Sequence, residues 1–186
     1  VCRKADLYRS MVTVGTPSFF TLERIRNHGF VRAFYESIIE KVAMVAVNIQ
    51  SDPGGMRRHP IFDSYVTDQK RMVSYNLGMA FAKFYSQRLL SIPNLIHVEV
   101  LKKQNAVSFV AQAGTARSRE PDLIGQASDG SWHIFEAKGV SGSPNQLPGK
   151  VADAKIQVQQ VLAIQSTAPV TRSACATYIG LGARRT

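Results

Sequence analysis

Pro121-Asp122-Leu123-Ile124-Gly125-Gln126-Ala127-Ser128-Asp129-Gly130-Ser131-Trp132-His133-Ile134-Phe135-Glu136-Ala137-Lys138 reads as two short apolar strands joined by a turn. Leu123-Ile124 and Trp132 to Phe135 carry the strand pattern, and Ser128-Asp129-Gly130 carries the turn chemistry. The length of the loop decides which side chains meet. A three-residue loop with Gly130 left-handed sets Ala127 opposite Ser131 and therefore Asp122 opposite Glu136. Lys138 then shares their face, because residues two apart on a strand point the same way. A two-residue Asp129-Gly130 turn slips the register by one and sends Asp122 to the other face. The sequence admits both, and the chemistry favours the first.

On a shared face the β-carbons of Asp122 and Glu136 stand roughly 5 Å apart. Two carboxylates that close raise each other's pKa unless a cation lies between them. Hard oxygen donors with open positions suit Mg²⁺, which keeps waters and takes one or two carboxylates plus a substrate phosphate. Lys138 at the rim would orient or deprotonate an attacking water, or neutralise charge on the phosphate in the transition state. The plainer reading makes Asp122 a strand cap and Glu136–Lys138 a surface ion pair. Such pairs are common and weak, but they need neither the Pro-Asp entrance nor the apolar run into the glutamate.

Pro121-Asp122, a hairpin, then Glu136-Ala137-Lys138 resembles the signature of the PD-(D/E)xK nucleases, a superfamily of Mg²⁺-dependent phosphodiesterases. The likeness spans a core from about Met72 to Leu181. It implies an α/β fold: a mixed sheet flanked by helices, with a restriction-endonuclease-like core of helix, hairpin-rich sheet, second helix and last strand. By the same resemblance Asp122, Glu136 and the Ala137 carbonyl would hold Mg²⁺, with Mn²⁺ able to substitute. A lysine or glutamine on the following helix approaches the site in many members, so Lys155 or Gln159, four apart on one face, would hold a phosphate oxygen. Many members also take an acid from the helix before the first core strand. Here that helix has only Asp68, at its start; Glu99, Glu36 and Glu40 are the other candidates, and the sequence does not choose among them.

The chain order is helices, four strands, a helix and a strand. Residues 1–66 are expected to form a helical N-terminal extension and residues 67–186 the core. Thr16-Pro17 opens a helix through Ile25, stopped by Asn27-His28-Gly29. A second helix runs from Val31 to Ile49 on the spacing of Phe34, Ile38, Val42 and Val45. Residues 51–55 read as a loop. Arg57-Arg58-His59-Pro60 is a basic segment that either touches phosphates or is a solvated loop. A third helix covers Thr67 to Leu90, with Met72, Leu77, Phe81, Phe84 and Leu89 as its stripe and Lys70, Arg71, Lys83 and Arg88 at polar positions. Strands follow at Leu95–Leu101 and Val107–Val110 about a turn at Gln104-Asn105. Gly114 to Arg119 is a connection and Gly139 to Gly149 a loop beside the site. A helix at Lys150–Gln165 and a strand at Ala176–Leu181 close the chain. Trp132 is expected in the core. His133 packs under the sheet, and His28, His59 and His97 lack partners at metal spacing.

With 23 basic against 13 acidic residues the chain carries +10. A polyanion is the natural partner of such a field. Cys2 and Cys175 suit neither a disulfide framework nor zinc. No apolar run spans a bilayer, and Val1-Cys2-Arg3-Lys4 does not open a signal peptide, so the expected setting is cytoplasmic, without a membrane. Charge and motif together imply a nucleic-acid phosphodiesterase, with DNA favoured over RNA and a DNA endonuclease as the leading form; the resemblance to the nuclease superfamily implies defence, mobile-element or toxin service. Basic residues on the N-terminal helices would grip the backbone. A homodimer or larger assembly fits such a protein. The rivals are a non-catalytic nucleic-acid-binding or assembly module with a decayed site, and an RNA-cleaving toxin.

Overall fold

The computed structural model describes residues 2–15, 31–53, 55–110 and 119–180. In chain order the elements are α1 (Lys4–Thr13), α2 (Val31–Asn48), β1 (Ile49–Asp52), β2 (Gly55–Arg58) and a 3-10 turn (Pro60–Ser64). Next come α3 (Thr67–Leu90), β3 (Leu95–His97), α4 (Val98–Lys102), β4 (Val107–Phe109), β5 (Leu123–Gln126) and β6 (Trp132–Val140). A second 3-10 turn (Pro144–Gln146), α5 (Leu147–Val158), β7 (Val161–Ile164) and β8 (Thr171–Tyr178) complete the order. The result is a mixed α/β fold with sheets flanked by helices.

The main sheet runs β3-β5-β6-β8. Its first three strands are antiparallel neighbours, and β8 lies parallel to β6 after the crossover through α5. Strand alternation separates two cores. Leu123, Phe135 and Ala137 face Met79 and Ala82 of α3. Ile124, Trp132 and Ile134 face the other way, against Val98 and Leu101 of α4, Val158 of α5 and the β7 residues Val161 and Ile164. A third core clothes the outer side of α3, where Leu7, Met11, Val45, Ile49 and Phe62 meet Val73, Leu77, Ala80 and Phe81. Helix α3 is thus covered on two sides. Its buried set is wider than one stripe, while Met72 and Leu89 of the expected stripe are exposed.

A pair of glycines fixes α3 on the sheet. A Cβ at Gly139 would lie 1.7 Å from the Ser74 carbonyl oxygen, and one at Gly78 would lie 2.8 Å from the Gly139 nitrogen. The two backbones therefore touch, and the start of α3 sits over the open end of the β5–β6 hairpin.

Several expectations are corrected. The strand from Leu95 ends at His97, and Val98–Lys102 is helical. Continuing the β3–β5 register would pair Glu99 with Pro121, which has no N–H to give the ladder. A helical turn instead buries Val98 and Leu101 together. Strand β4 consequently pairs with β7 rather than β3. The last long helix begins at Leu147, ends at Val158 and is followed by an unforeseen strand; the final strand lies at Thr171–Tyr178. Ser51, Asp52 and Gly55, expected in a loop, belong to the paired strands β1 and β2. Arg58 is buried: its guanidinium donates to the Ser141 carbonyl at 2.6 Å and lies over the Phe62 ring, so it ties the hairpin to the core. Lys83 is also buried and donates to the Pro93 carbonyl. Helix α1 was not anticipated. The helix expected at Thr16–Ile25, its stop at Asn27-His28-Gly29 and most of the Gly114–Arg119 connection lie outside the described residues. No helix of the described residues is long and apolar enough to cross a membrane.

Candidate active site

Gly130 adopts φ +84°, a left-handed conformation that favours glycine. Its N–H donates to the Ala127 carbonyl at 3.0 Å, and the Ala127 N–H donates to the Ser131 carbonyl at 3.0 Å. Ser128-Asp129-Gly130 is therefore the three-residue loop. The ladder then pairs Gln126 with Trp132 and Leu123 with Phe135. One step further, Asp122 stands across from Glu136.

The two carboxylates meet at the open end of the hairpin. Glu136 is 1% exposed, and its Oε2 accepts the Asp122 N–H at 2.8 Å. Asp122 Oδ2 accepts the Ala137 N–H at 3.1 Å. The hydrogen-bonded pair Ala127/Ser131 makes the odd-numbered residues of β6 turn their backbone groups toward β5. Ala137 therefore aims its carbonyl at the position of Pro121, which supplies no N–H. Proline both ends the ladder and leaves an acceptor beside the carboxylates.

Lys138, on the face of Glu136, donates to Glu136 Oε1 and to Gln157 Oε1. Gln157, 7% exposed on α5, in turn donates to the Glu120 carbonyl at 3.2 Å. A chain of contacts from α5 through Gln157 thus holds the lysine at the rim. From α3, the Tyr75 hydroxyl reaches Asp122 Oδ1 at 3.5 Å. Tyr75, His97, Glu99, Glu120 and Asp122 line an open cleft of about 340 Å³ beside the pair.

The electrostatics follow from this crowding. Burial, then the charge of Asp122, push the Glu136 carboxyl up to about 7. Asp122 is raised as well, chiefly by burial, against the lowering influence of the Ala137 N–H and Lys138. Burial and the two carboxylates push the Tyr75 phenol up to about 12. Cys175, opposite Ala137 on β8, is pushed up to about 11 by burial and Glu136, so its thiol stays protonated.

The structure brings Asp122, Glu136, Ala137 and Lys138 together. It leaves Lys155 and Gln159 exposed on or just past α5. Gln157, between Ala154 and Val158 on the inward stripe of the helix, is the α5 side chain that meets Lys138. Of the four acids considered for a further ligand, Glu99 lines the cleft. Glu36 pairs with Arg32 on α2, Glu40 is exposed on the same helix, and Asp68 pairs with Arg71 at the start of α3. Among the described residues no group of three or more His, Cys, Asp or Glu side chains is set to hold a metal. His133 points away from the carboxylates and bonds Ser131 and Thr171, while His59 accepts the Ile61 N–H. Trp132 is in the core.

Compared with protein-family models, curated proteins and solved structures, the chain gives no match.

Proposed function

We propose that this protein is a divalent-metal-dependent phosphodiesterase acting on nucleic acid, DNA before RNA, with a PD-(D/E)xK-like core. The observation that carries the reading is the crowding of Asp122 and Glu136, with raised pKa values, at an opened ladder end beside Lys138. The order α3, β3, β5, β6, α5, β8 supports the restriction-endonuclease-like core, and the +10 charge supports a polyanionic substrate.

The donor set fits a hard cation. Two carboxylates short of positive charge and a carbonyl without a ladder partner offer oxygen ligands, which suits an ion that keeps several waters. Asp122, Glu136 and the Ala137 carbonyl would hold Mg²⁺ or Mn²⁺, which when bound supplies charge for the scissile phosphate and acidifies water. Lys138 carries the next role. Held by Glu136 and Gln157, its ammonium presents donors to an attacking water or a phosphate oxygen without needing to reorganise. Gln157 is its positioning residue, and Tyr75 restrains Asp122 from the other side.

The second reading is a nucleic-acid-binding module of this fold that does not cut. What favours it is that no group of three or more His, Cys, Asp or Glu side chains among the described residues is set to hold a metal. Incubation with plasmid DNA and with structured RNA, in Mg²⁺ or Mn²⁺, separates the two. Metal-dependent cutting is expected, reduced about 10²–10³-fold in Glu136→Ala and Lys138→Ala. Binding without cutting in either metal would leave the non-catalytic module standing.

A further inference from the structure

A second cavity of about 390 Å³ lies between α1 and the last turns of α3, lined among others by Asp6, Arg9, Phe84, Gln87, Arg88 and Ser91. Phe84 is nine residues beyond Tyr75, which at 100° per residue places it about half a turn around α3 and about 13 Å along it. The cavity is therefore separate from the carboxylate cleft.

Its charge is one-sided. Asp6 is already engaged: its carboxylate accepts the Arg3 backbone N–H at 2.9 Å and the Arg3 Nε at 3.5 Å. Arg9 and Arg88 are exposed, and among the described residues neither enters an ion pair. Lys83, also on α3, is buried, and the charge of Arg9 helps lower its pKa after burial itself. Arg88 in the last turn of α3 is explained in part by the helix dipole. Arg9 comes from a different helix and has no such explanation. Gln87 and Ser91 add neutral donors. Phe84 is half-buried, edge-on to Tyr85 at 5.1 Å, with ring surface lining the cavity.

We propose that this cavity is an anchoring site for a single-stranded nucleic acid, with a phosphate between Arg9 and Arg88 and a base against Phe84. Paired guanidiniums match phosphate geometry, and an aromatic wall beside cations is the arrangement that holds unpaired strands. The volume suits one nucleotide, within the ordinary range of ligand pockets. A duplex offers no free base face to Phe84, which is why the single strand is preferred. The choice of ligand rests on the nucleic-acid reading above; the site does not depend on catalysis.

The test is fluorescence anisotropy of a labelled single-stranded oligonucleotide and its duplex, titrated with the full chain in EDTA from 50 to 200 mM salt. The Arg9→Ala/Arg88→Ala variant is expected to bind the single strand at least tenfold more weakly, with a log–log salt slope lower by about 1.4, two contacts at about 0.7 each. The control Arg32→Ala/Lys70→Ala removes equal charge from residues engaged by Glu36 and by the Asp63 carbonyl. It should change affinity less than about threefold, as loss of general field rather than of a site. Phe84→Leu should weaken binding with the slope unchanged. Equal losses in the two double variants, or an equal loss on duplex, would overturn the proposal. If the wild type binds and the Arg9/Arg88 variant binds as well, only this site fails; if the wild type binds neither oligonucleotide, the nucleic-acid reading fails with it.

Discussion

The β5–β6 hairpin carries an aspartate at each end, and the two are treated in opposite ways. At the turn, Asp129 accepts the Ser131 N–H at 2.9 Å and its hydroxyl at 2.6 Å, and those bonds hold its carboxyl below the ordinary range. At the open end, Asp122 is half-buried beside the buried Glu136, and both carboxyls are raised. Each of the three carboxylates accepts two donors, so the difference lies in burial and in the like charge across the ladder. A carboxylate satisfied by its own turn is doing structural duty. A pair crowded at a ladder end is unfavourable to folding alone, and such perturbed groups in a cleft mark sites of chemistry.

Matched substitutions test that contrast most strongly. Asp122→Asn keeps an acceptor for the Ala137 N–H but removes a ligand and a negative charge. Cutting should fall about 10²–10³-fold, while the metal-free chain at pH 8 becomes more stable because Glu136 loses its like-charged neighbour. Asp129→Asn should leave cutting within about threefold and lower stability, since its loss falls on the turn. Melting temperature thus moves in opposite senses at the two ends, and activity falls at only one of them. A shared direction of melting shift in both variants would erase the distinction.

The same contrast predicts a pH-dependent response to metal. Glu136 titrates near 4.5 when unfolded and at about 7 when folded, so the neutral form is favoured in the native chain. A raised carboxyl contributes stability that is fully present below about 4.5 and lost as pH rises through about 7. Mg²⁺ binds the ionised form, so its stabilisation should grow across that window. At ten times Kd it adds about 1.4 kcal/mol, or about 3–6 °C for a chain of this size. Melting curves at pH 5 and pH 8, with and without Mg²⁺, are the measurement. The shift should be larger at pH 8 and nearly absent in Glu136→Gln. An equal shift at both pH values, or one retained in the variant, breaks the link between the crowded pair and the cation.

Much of this contrast was legible in the residues. The residues about Gly130 allow two loops, and the chemistry of paired carboxylates favours the one whose register puts Asp122 across from Glu136, which is the loop observed. Helices α2 and α3 were legible because apolar spacing, Gly and Pro bounded them. What escaped was decided by tertiary partners. Val161–Ile164 follows α5 with no breaking residue between, and only β4 makes it a strand. The early end of β3 required knowing that Pro121 would face its extension. Gln157 lies on an inward stripe that apolar residues mark, so its polarity hides it in the sequence pattern. Tyr75 carries no sequence signal of its own on α3, and only the packing of α3 on the sheet brings its hydroxyl to Asp122. Helix α1 is held at its start by Arg3 and Asp6, a cap that no customary N-cap residue announces.

The smallest expected effect lies in how the turn end is held. Ser131 Oγ is 2.6 Å from Asp129 Oδ1 and 2.9 Å from His133 Nε2, while His133 Nδ1 is 2.9 Å from Thr171 Oγ1. The carboxylate can only accept, so the single Ser131 proton goes to Asp129. His133 must then donate from Nε2, and Nδ1 accepts from Thr171. The chain of bonds ties the turn to β8 and fixes a neutral imidazole, whose pKa is lowered by burial despite Asp129. Ser131→Ala removes the acceptor from a ring that is 7% exposed. The loss should be about 1 kcal/mol, with cutting within about twofold because the Ala127–Ser131 backbone bond still sets the register. Nitrogen-15 shifts of the imidazole check the mechanism apart from the stability: the wild type should report the Nε2–H tautomer and the variant a mixture. An Nδ1–H ring in the wild type would reverse both histidine bonds and leave Ser131 no proton for Asp129, and the turn would then owe its rigidity to Gly130 and the backbone alone.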